Sequence, residues 1–138
     1  MYPHRIRLGG PWEYEPLAHP EKSDEPLPPK GRMTTPGRWA EGGLGDFAGR
    51  VRLRRRFGWP ARLEAHERVW LTFAGAEAVA TVRLNGHFLG RHAGPGSFAF
   101  DVTGLLQVRN DLTIEVEGPD AGLWGEVALE VRCTDREG

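Results

Sequence analysis

Pairs of carboxylates are the first residues in this sequence with the chemistry of a catalyst. Two carboxyl groups roughly 5–9 Å apart across a cleft, one of them with a raised pKa, can cleave a glycosidic bond. The chain has 19 Asp and Glu residues, and two of its pairs are Glu13 with Glu15 and Glu115 with Glu117. Both pairs alternate with other residues at a spacing of two, so a strand would place each pair on its solvent-facing side. We therefore predict that these carboxylates cover sheet surfaces and that the chain is not an enzyme.

Nucleophilic catalysis and transition-metal chemistry have equally weak candidates. Ser23 lies in a proline-rich stretch and Ser97 opens a predicted strand, and neither has the Gly-x-Ser-x-Gly pattern of a nucleophile elbow. Cys133 is the single cysteine and ends an apolar row, where a thiol acts as a small hydrophobic side chain. His87 and His92 are five residues apart on one predicted strand, which would place them on opposite faces. The sequence therefore predicts no catalytic residue and no shared histidine metal site.

A run of arginines raises the question of nucleic-acid binding. The arginines between Arg50 and Arg56 alternate with Val51 and Leu53, as on the polar face of a strand. The chain has 18 Lys and Arg against 19 Asp and Glu, a net charge of -1, whereas phosphate binding needs a basic excess. The segment from residue 111 to 138 is strongly acidic and can supply cross-strand partners for the arginines. We predict structural ion pairs and no nucleic-acid partner.

The elements that must position these residues are strands. Gly and Pro contribute 19 and 11 residues, and frequent turns between short apolar runs are typical of an all-β sandwich or barrel. Apolar residues recur in eight segments, near Trp12, Val51–Phe57, Val69–Phe73, Val82–Leu84, Phe88, Phe98–Phe100, Leu112–Val116 and Val127–Cys133. One apolar and one polar face per strand predicts a single domain, residues 1–138, built as a two-sheet antiparallel β-sandwich.

Three local patterns refine this prediction. Asn85-Gly86 between alternating apolar residues is the preferred sequence of a type I′ hairpin turn, in which both residues have positive φ. We expect the first strand to begin at Trp12 and Pro16 to end it, with residues 17–36 forming a proline-rich surface loop. Thr103 is placed to cap one short helical turn before Gly104, and Asp101 is a second candidate to cap this turn.

The N-terminal sequence and the hydropathy pattern are informative about the cellular location of the protein. No stretch approaches the ~20 apolar residues of a membrane span. The N-terminal residues include charges and a proline where a signal peptide has an apolar run. We therefore expect a cytoplasmic protein without a membrane partner.

An ordered series of short motifs covers most of the chain. The motifs are Pro36-Gly37-Arg38-Trp39, Phe47-Ala48-Gly49, Arg54-Arg55-Arg56-Phe57, Arg68-Val69-Trp70-Leu71-Thr72-Phe73, Ala80-Thr81-Val82-Arg83-Leu84-Asn85-Gly86, Phe98-Ala99-Phe100-Asp101-Val102-Thr103, Asn110-Asp111-Leu112-Thr113-Ile114-Glu115-Val116 and Gly122-Leu123-Trp124-Gly125-Glu126-Val127-Ala128-Leu129. In this order they resemble the N-terminal sugar-binding domain of glycoside hydrolase family 2, which contains β-galactosidases, β-glucuronidases and β-mannosidases. The resemblance is strongest over residues 36–131 and implies a galactose-binding-like jelly roll.

The resemblance also implies where catalysis takes place. In those enzymes the catalytic glutamates lie on a separate (β/α)8 barrel, and this chain stops at Gly138 without one. We therefore expect a free-standing, non-catalytic module that binds carbohydrate. The loop that often reaches the neighbouring sugar site shrinks here to residues 118–122. The alternative is therefore a protein-interaction or structural module that has lost sugar binding, with a partner such as a separately encoded enzyme.

The resemblance bears on cofactors as well. Galactose-binding-like folds often hold a structural calcium ion in their loops, and calcium takes six to eight oxygen ligands. Asp46 and Asp120 have the right chemistry for such a site, together with backbone carbonyls. We predict no cofactor, with a structural calcium ion as the open alternative.

If a sugar binds, we expect it at the ends of the sheets, where loops present variable side chains on a rigid frame. Arg91 and His92 follow the hairpin, and arginine donates a fork of hydrogen bonds to paired hydroxyls. Trp124 or Trp39 would stack on the apolar face of the sugar. These four residues and Asp120 form the predicted carbohydrate site. In the alternative interpretation, Arg91 and His92 are solvated strand-end residues and the tryptophans pack loops.

Overall fold

A computed structural model of the chain describes residues 4–9, 12–18, 26–27, 29–33, 49–59, 63–74, 79–92, 96–117 and 127–133. The strands in these ranges are β1 (His4–Arg7), β2 (Trp12–Ala18), β3 (Gly31–Met33), β4 (Arg50–Gly58), β5 (Glu67–Phe73), β6 (Val79–Leu84), β7 (His87–His92), β8 (Phe98–Asp101), β9 (Arg109–Glu117) and β10 (Val127–Cys133). A short 3-10 helix spans Thr103–Leu105. Within the described ranges, no helix has the length and hydropathy needed to cross a bilayer.

The strands form two antiparallel sheets. One sheet has four strands in the order β1-β10-β5-β8, and the other has six in the order β3-β2-β4-β9-β6-β7. The arginine-rich β4 lies between β2 and β9, whose acidic residues come from distant parts of the chain. This topology confirms the predicted all-β sandwich.

The core lies between the inward faces of the two sheets. β9 alternates buried and less buried residues along its length, and Leu112, Ile114 and Val116 have no exposed area. Trp12 is fully buried, and its Nε1 atom donates to the Leu8 carbonyl oxygen at 2.9 Å. Each fully buried large apolar side chain stabilises the fold by about 1.5–3 kcal/mol. The two-residue period identified these inward positions correctly.

Two strands were missing from the sequence prediction, which expected eight. β1 adds an edge to the four-stranded sheet by pairing with β10, and β3 adds an edge to the other sheet by pairing with β2. β3 lies inside the stretch that we expected to be a loop throughout. Strands of four and three residues are too short to show a hydropathy period. β1 and β3 form because each pairs with a longer strand, β10 and β2 respectively.

The prediction that Pro16 ends the first strand was also wrong. β2 continues to Ala18, with Pro16 opposite Val51 of β4 and an irregular register between Pro16 and Ala18. β3 pairs with β2 only at Trp12, Glu13 and Tyr14. Pro16 therefore lies where β2 has one paired neighbour, a position at which a missing N–H is tolerated.

The hairpin between β6 and β7 has the predicted turn but an unexpected bulge. Asn85 and Gly86 have φ values of 53° and 83°, which confirms the turn. The register shifts between Val82 and Arg83, which leaves Leu89 as the extra residue. His87 and His92 consequently pair with Leu84 and Ala80, two residues of the same inward face. The expectation that these histidines lie on opposite faces was wrong, because a bulge changes the alternation.

The short helical turn is where the sequence predicted it, and of the two predicted cap residues it is Asp101 that bonds to the turn. Thr103 does not cap the helix through its side chain. Instead Asp101 Oδ1 accepts from the Thr103 backbone N–H at 3.0 Å and from its hydroxyl at 2.7 Å. The Thr103 hydroxyl also accepts from the Val69 N–H at 2.8 Å, which ties the turn to β5.

Candidate functional site

The outer face of the six-stranded sheet carries the charged residues of β2, β4 and β9. Val51 and Leu53 point into the core, so the neighbouring arginines of β4 point outward. Across this face Glu15 pairs in register with Arg52, and Arg52 pairs with Glu115. Glu13, Glu15 and Glu117 are exposed and Glu115 is partly exposed. The prediction that these carboxylates cover a sheet surface is confirmed.

Cross-strand ion pairs hold two of the arginines. Arg54 donates to Asp111 through Nε at 2.8 Å and through a terminal nitrogen at 2.6 Å. Arg52 lies 3.4 Å from Glu15 and 3.9 Å from Glu115. The structural role predicted for the β4 arginines is therefore confirmed for Arg52 and Arg54.

The ion pair with Arg54 shifts the pKa of Asp111. The hydrogen bonds from Arg54 lower the pKa of the Asp111 carboxyl below its usual value, although partial burial acts in the opposite direction. The same bonds raise the pKa of Arg54. The bidentate geometry thus favours the ionised form of both groups.

Next to these ion pairs lies a concave groove of about 490 Å³, which we call the arginine groove. It is formed by residues of β2, the β3 segment and β4, namely Glu13, Tyr14, Glu15, Lys30, Gly31, Arg32, Arg52, Arg54 and Arg56. A Cβ atom added at Gly31 would lie 2.5 Å from the Tyr14 hydroxyl, so this position needs a glycine. Lys30, Arg32 and Arg56 are exposed.

The predicted site residues at the end of the hairpin do not point the same way. Arg91 is exposed and pairs with Thr81, which places it on the outer face. His92 is adjacent to it in β7 and faces inward, where its ring stacks on Phe98 at 4.1 Å. The buried His92 Nε2 has no hydrogen-bond partner among the described residues. A ligand on the outer face therefore meets Arg91 and not His92.

The remaining predicted site residues lie outside the described ranges. These are Trp39, Trp124 and Asp120, together with the calcium candidate Asp46. In the part of the chain that is described, no cluster of three or more His, Cys, Asp or Glu residues could hold a metal ion.

Sequence reasoning missed the arginine groove and a buried amide. Asn110 is 3% exposed, and its side chain bonds to the Gln107 N–H and carbonyl at 2.8 Å each. Asn85 Nδ2 donates to Asn110 Oδ1 at 3.0 Å and to the Leu105 carbonyl at 2.9 Å. The signal was present: a period of two places Asn110 in the same row as Leu112 and Ile114, where a polar residue needs a specific partner.

Comparison with known proteins agrees with this architecture. The family model described as the glycosyl hydrolase 2 galactose-binding domain-like matches residues 49–123, more than half of the chain. A search of curated proteins found no match to this chain.

Among solved structures, Bifidobacterium dentium β-glucuronidase, whose structure holds coumarin-3-O-glucuronide, has 27% sequence identity and a TM-score of 0.77 over 96% of this chain and 31% of its own. Faecalibacterium prausnitzii β-glucuronidase has 21% identity and a TM-score of 0.76 over 96% of this chain and 33% of its own. A β-galactosidase-like protein of Bacteroides fragilis has 18% identity and a TM-score of 0.68 over 93% of this chain and 23% of its own. This chain spans a third or less of the length of each of these three proteins.

Proposed function

Since the chain belongs to the glycosyl hydrolase 2 galactose-binding domain-like family, we propose that it is a non-catalytic carbohydrate-binding domain. The family match is the observation that carries this proposal. The outer face of the six-stranded sheet supports it, because arginine forks and carboxylates alternate there. A sugar hydroxyl both donates and accepts hydrogen bonds, so it is suited to such a surface.

Two of the described carboxylates, Asp101 and Asp111, are poor candidates for a general acid. A general acid for glycoside cleavage needs a raised pKa. Two of the described carboxyl groups, Asp101 and Asp111, have pKa values below their usual range. In Asp101, partial burial alone would raise the pKa, but hydrogen bonds from Arg68 and Thr103 together outweigh it. Both shifts are opposite to the one that a general acid requires.

A glycan array and a hydrolysis assay test the two halves of this proposal. We expect the purified chain to bind at least one glycan and to leave aryl glycosides of galactose, glucuronic acid and mannose intact. Absence of binding across the array would overturn the binding role. Turnover above a heat-denatured control, abolished by one Asp or Glu substitution, would overturn the non-catalytic role.

The hairpin end remains a proposed contact region. Arg91→Ala and Trp124→Ala, measured against the best glycan of the array, test it directly. Loss of affinity in Arg91→Ala supports the hairpin end, and loss of affinity in Trp124→Ala supports Trp124 as a stacking surface. If both variants bind within about twofold of the parent while circular dichroism shows an intact fold, the ligand lies elsewhere.

A protein-interaction role is the second candidate, and two exposed apolar side chains favour it. Phe88 is 60% exposed on β7, and Val108 is 74% exposed before β9. The Arg83 guanidinium lies 5.7 Å from the centre of the Phe88 ring, so the ring is flanked by charge. Size-exclusion light scattering of the parent chain and of Phe88→Ser distinguishes this role: a larger mass that Phe88→Ser reduces would favour it.

A further inference from the structure

The arginine groove concentrates positive charge on a chain that is slightly acidic. The described residues of its lining include five cationic side chains, Lys30, Arg32, Arg52, Arg54 and Arg56, against the two carboxylates of Glu13 and Glu15. The chain as a whole has a net charge of -1. A concave surface with an excess of one sign focuses its field and attracts ligands of the opposite sign.

The cations of the groove are not equally engaged. Arg54 is held by Asp111, and Arg52 is shared between Glu15 and Glu115. No described carboxylate oxygen lies within 4 Å of the charged nitrogens of Lys30, Arg32 or Arg56. These three cations therefore retain capacity for charge-assisted hydrogen bonds.

The strand order places the available cations on either side of the β2 carboxylates Glu13 and Glu15. β2 lies between β3 and β4. Arg32 of β3 pairs with Glu13 of β2, which pairs with Arg54 of β4. Arg56 follows Arg54 by two residues and so extends the same outer row. Lys30 and Arg32 form one side, Arg56 the other, and Glu13 and Glu15 lie between them.

We propose that the arginine groove binds an acidic saccharide, with carboxylate or sulfate groups on Arg56, Arg32 and Lys30 and sugar hydroxyls on Glu13 and Glu15. This inference rests on the proposed carbohydrate-binding function and adds the class of sugar. Any sugar that covers the cations removes water from them, which costs free energy. An acidic sugar offsets this cost by forming ion pairs with the cations, whereas a neutral sugar does not. The volume of about 490 Å³ is in the range of small-ligand sites, ~300–1,000 Å³.

The composition of the groove disfavours a nucleic acid. Glu13 and Glu15 would repel a phosphodiester backbone that follows the groove. Nonspecific single-strand binding also relies on exposed aromatic platforms for base stacking. Among the described residues that line the groove, Tyr14 is the one aromatic, and it is 9% exposed.

Titration calorimetry on the whole chain tests the class of ligand. The probes are a galacturonate oligosaccharide with carboxylates alone, a heparin oligosaccharide with sulfates as well, a neutral cello-oligosaccharide and oligothymidylate. We expect one of the acidic saccharides to bind at least about tenfold more tightly than the neutral sugar and oligothymidylate. Tighter binding of the galacturonate oligosaccharide indicates recognition of carboxylates, and tighter binding of the heparin oligosaccharide indicates recognition of sulfates. We also expect the affinity to fall with added salt, because the screening length is about 8 Å at physiological ionic strength.

Charge-neutralising variants test the location. Arg56→Gln and Arg32→Gln should each weaken acidic-sugar binding by about tenfold. Arg83→Gln is the matched control, because Arg83 is exposed on the same sheet face but does not line the groove. It should change the affinity by less than twofold. All three positions are exposed, so the variants should fold, and circular dichroism checks this.

The outcomes separate the two proposals. Equal weakening by Arg83→Gln and Arg56→Gln, or equally tight binding of oligothymidylate, would overturn the groove assignment. Binding of neutral sugars that the groove variants leave unchanged would overturn the acidic-sugar inference and leave the carbohydrate-binding function in place. Absence of binding to every saccharide here and on the array would overturn both.

Discussion

At the scale of single residues, Asn110 shows how one polar side chain organises a loop. Its amide bonds both the N–H and the carbonyl of Gln107 and accepts from Asn85 at the tip of the hairpin. A buried amide of this kind is stable only because its partners replace water. The loop before β9 and the β6–β7 turn are thereby fastened to each other.

We expect Asn110→Ala to destabilise the chain by about 2–4 kcal/mol, because it leaves the Gln107 N–H and carbonyl without their side-chain partner and removes one of the hydrogen bonds of Asn85. Urea unfolding followed by fluorescence measures this. Gln107→Ala is the control: that side chain is exposed, so its removal should change the free energy of unfolding by no more than about 0.5 kcal/mol. A similar cost for both substitutions would contradict the role of the Asn110 amide.

The ion pair between Arg54 and Asp111 makes stability depend on pH. The pKa of Asp111 is lower in the folded chain than the ~3.9 expected when unfolded. The pair therefore stabilises the fold above that unfolded value and loses this contribution as the pH falls through the folded pKa. Both side chains are 38% exposed, so solvent screening limits the contribution to about 1 kcal/mol.

We expect Asp111→Asn to lower the free energy of unfolding at pH 7 and to lower it by less at pH 3, which lies below the unfolded pKa, so that part of the contribution of the pair is already lost in the parent. Urea unfolding at the two pH values gives the difference. Glu117→Gln, at an exposed position of the same strand, provides the comparison. An Asp111→Asn deficit of equal size at both pH values would exclude a charge effect.

At the scale of elements, the hairpin turn is specified locally. Asn85 and Gly86 adopt the positive φ values that a type I′ turn requires. The Asn85 side chain then connects the turn to its neighbours, since Oδ1 accepts from the Asp111 N–H at 2.8 Å. The turn thus sets the register of β6 with β7 and is anchored to β9.

We expect Gly86→Val to cost at least about 1–2 kcal/mol, because a β-branched residue is strained at a φ of 83°. Thermal unfolding measures the loss. Gly104→Ala is the matched control, because a Cβ atom there has no neighbour within 4 Å and the backbone is not left-handed. A melting temperature for Gly86→Val equal to that of the control would be inconsistent with the observed turn.

At the scale of the whole molecule, the two sheets meet closely at Gly90. A Cβ atom at this residue of β7 would lie 2.5 Å from Cε1 of Phe100 in β8, a strand of the other sheet. Phe100 packs edge-on against Phe98 and Phe73, and Phe98 stacks on Phe73 at 4.5 Å. An aromatic cluster therefore fills the space between the sheets at this point.

We expect Gly90→Ala to destabilise the chain by about 1–3 kcal/mol through overpacking. In a double-mutant cycle, Phe100→Leu should recover part of this loss, because it removes the ring edge that the new methyl group meets. Gly58→Ala in β4 is the control, since its nearest neighbour would be the Val108 carbonyl oxygen at an ordinary 3.6 Å. Strict additivity of Gly90→Ala and Phe100→Leu would argue against direct contact.

Local chemistry made much of this fold predictable from the chain. The two-residue period identified the inward rows of β4 and β9, and Asn85-Gly86 identified the hairpin turn. The alternation of arginine with Val51 and Leu53 likewise predicted a charged outer face. These features depend on the side-chain period of a strand and on backbone sterics, which operate over a few residues.

Tertiary structure decided the features that depend on partners distant in sequence. The short strands β1 and β3 exist because longer strands pair with them. The bulge at Leu89 turned His87 and His92 to one face. The arginine groove combines β2, β3 and β4, and the sheet order decides which of its cations have a described carboxylate within 4 Å. Pairing and charge neutralisation between distant segments depend on the register of the folded sheets, and hydropathy along the chain does not encode that register.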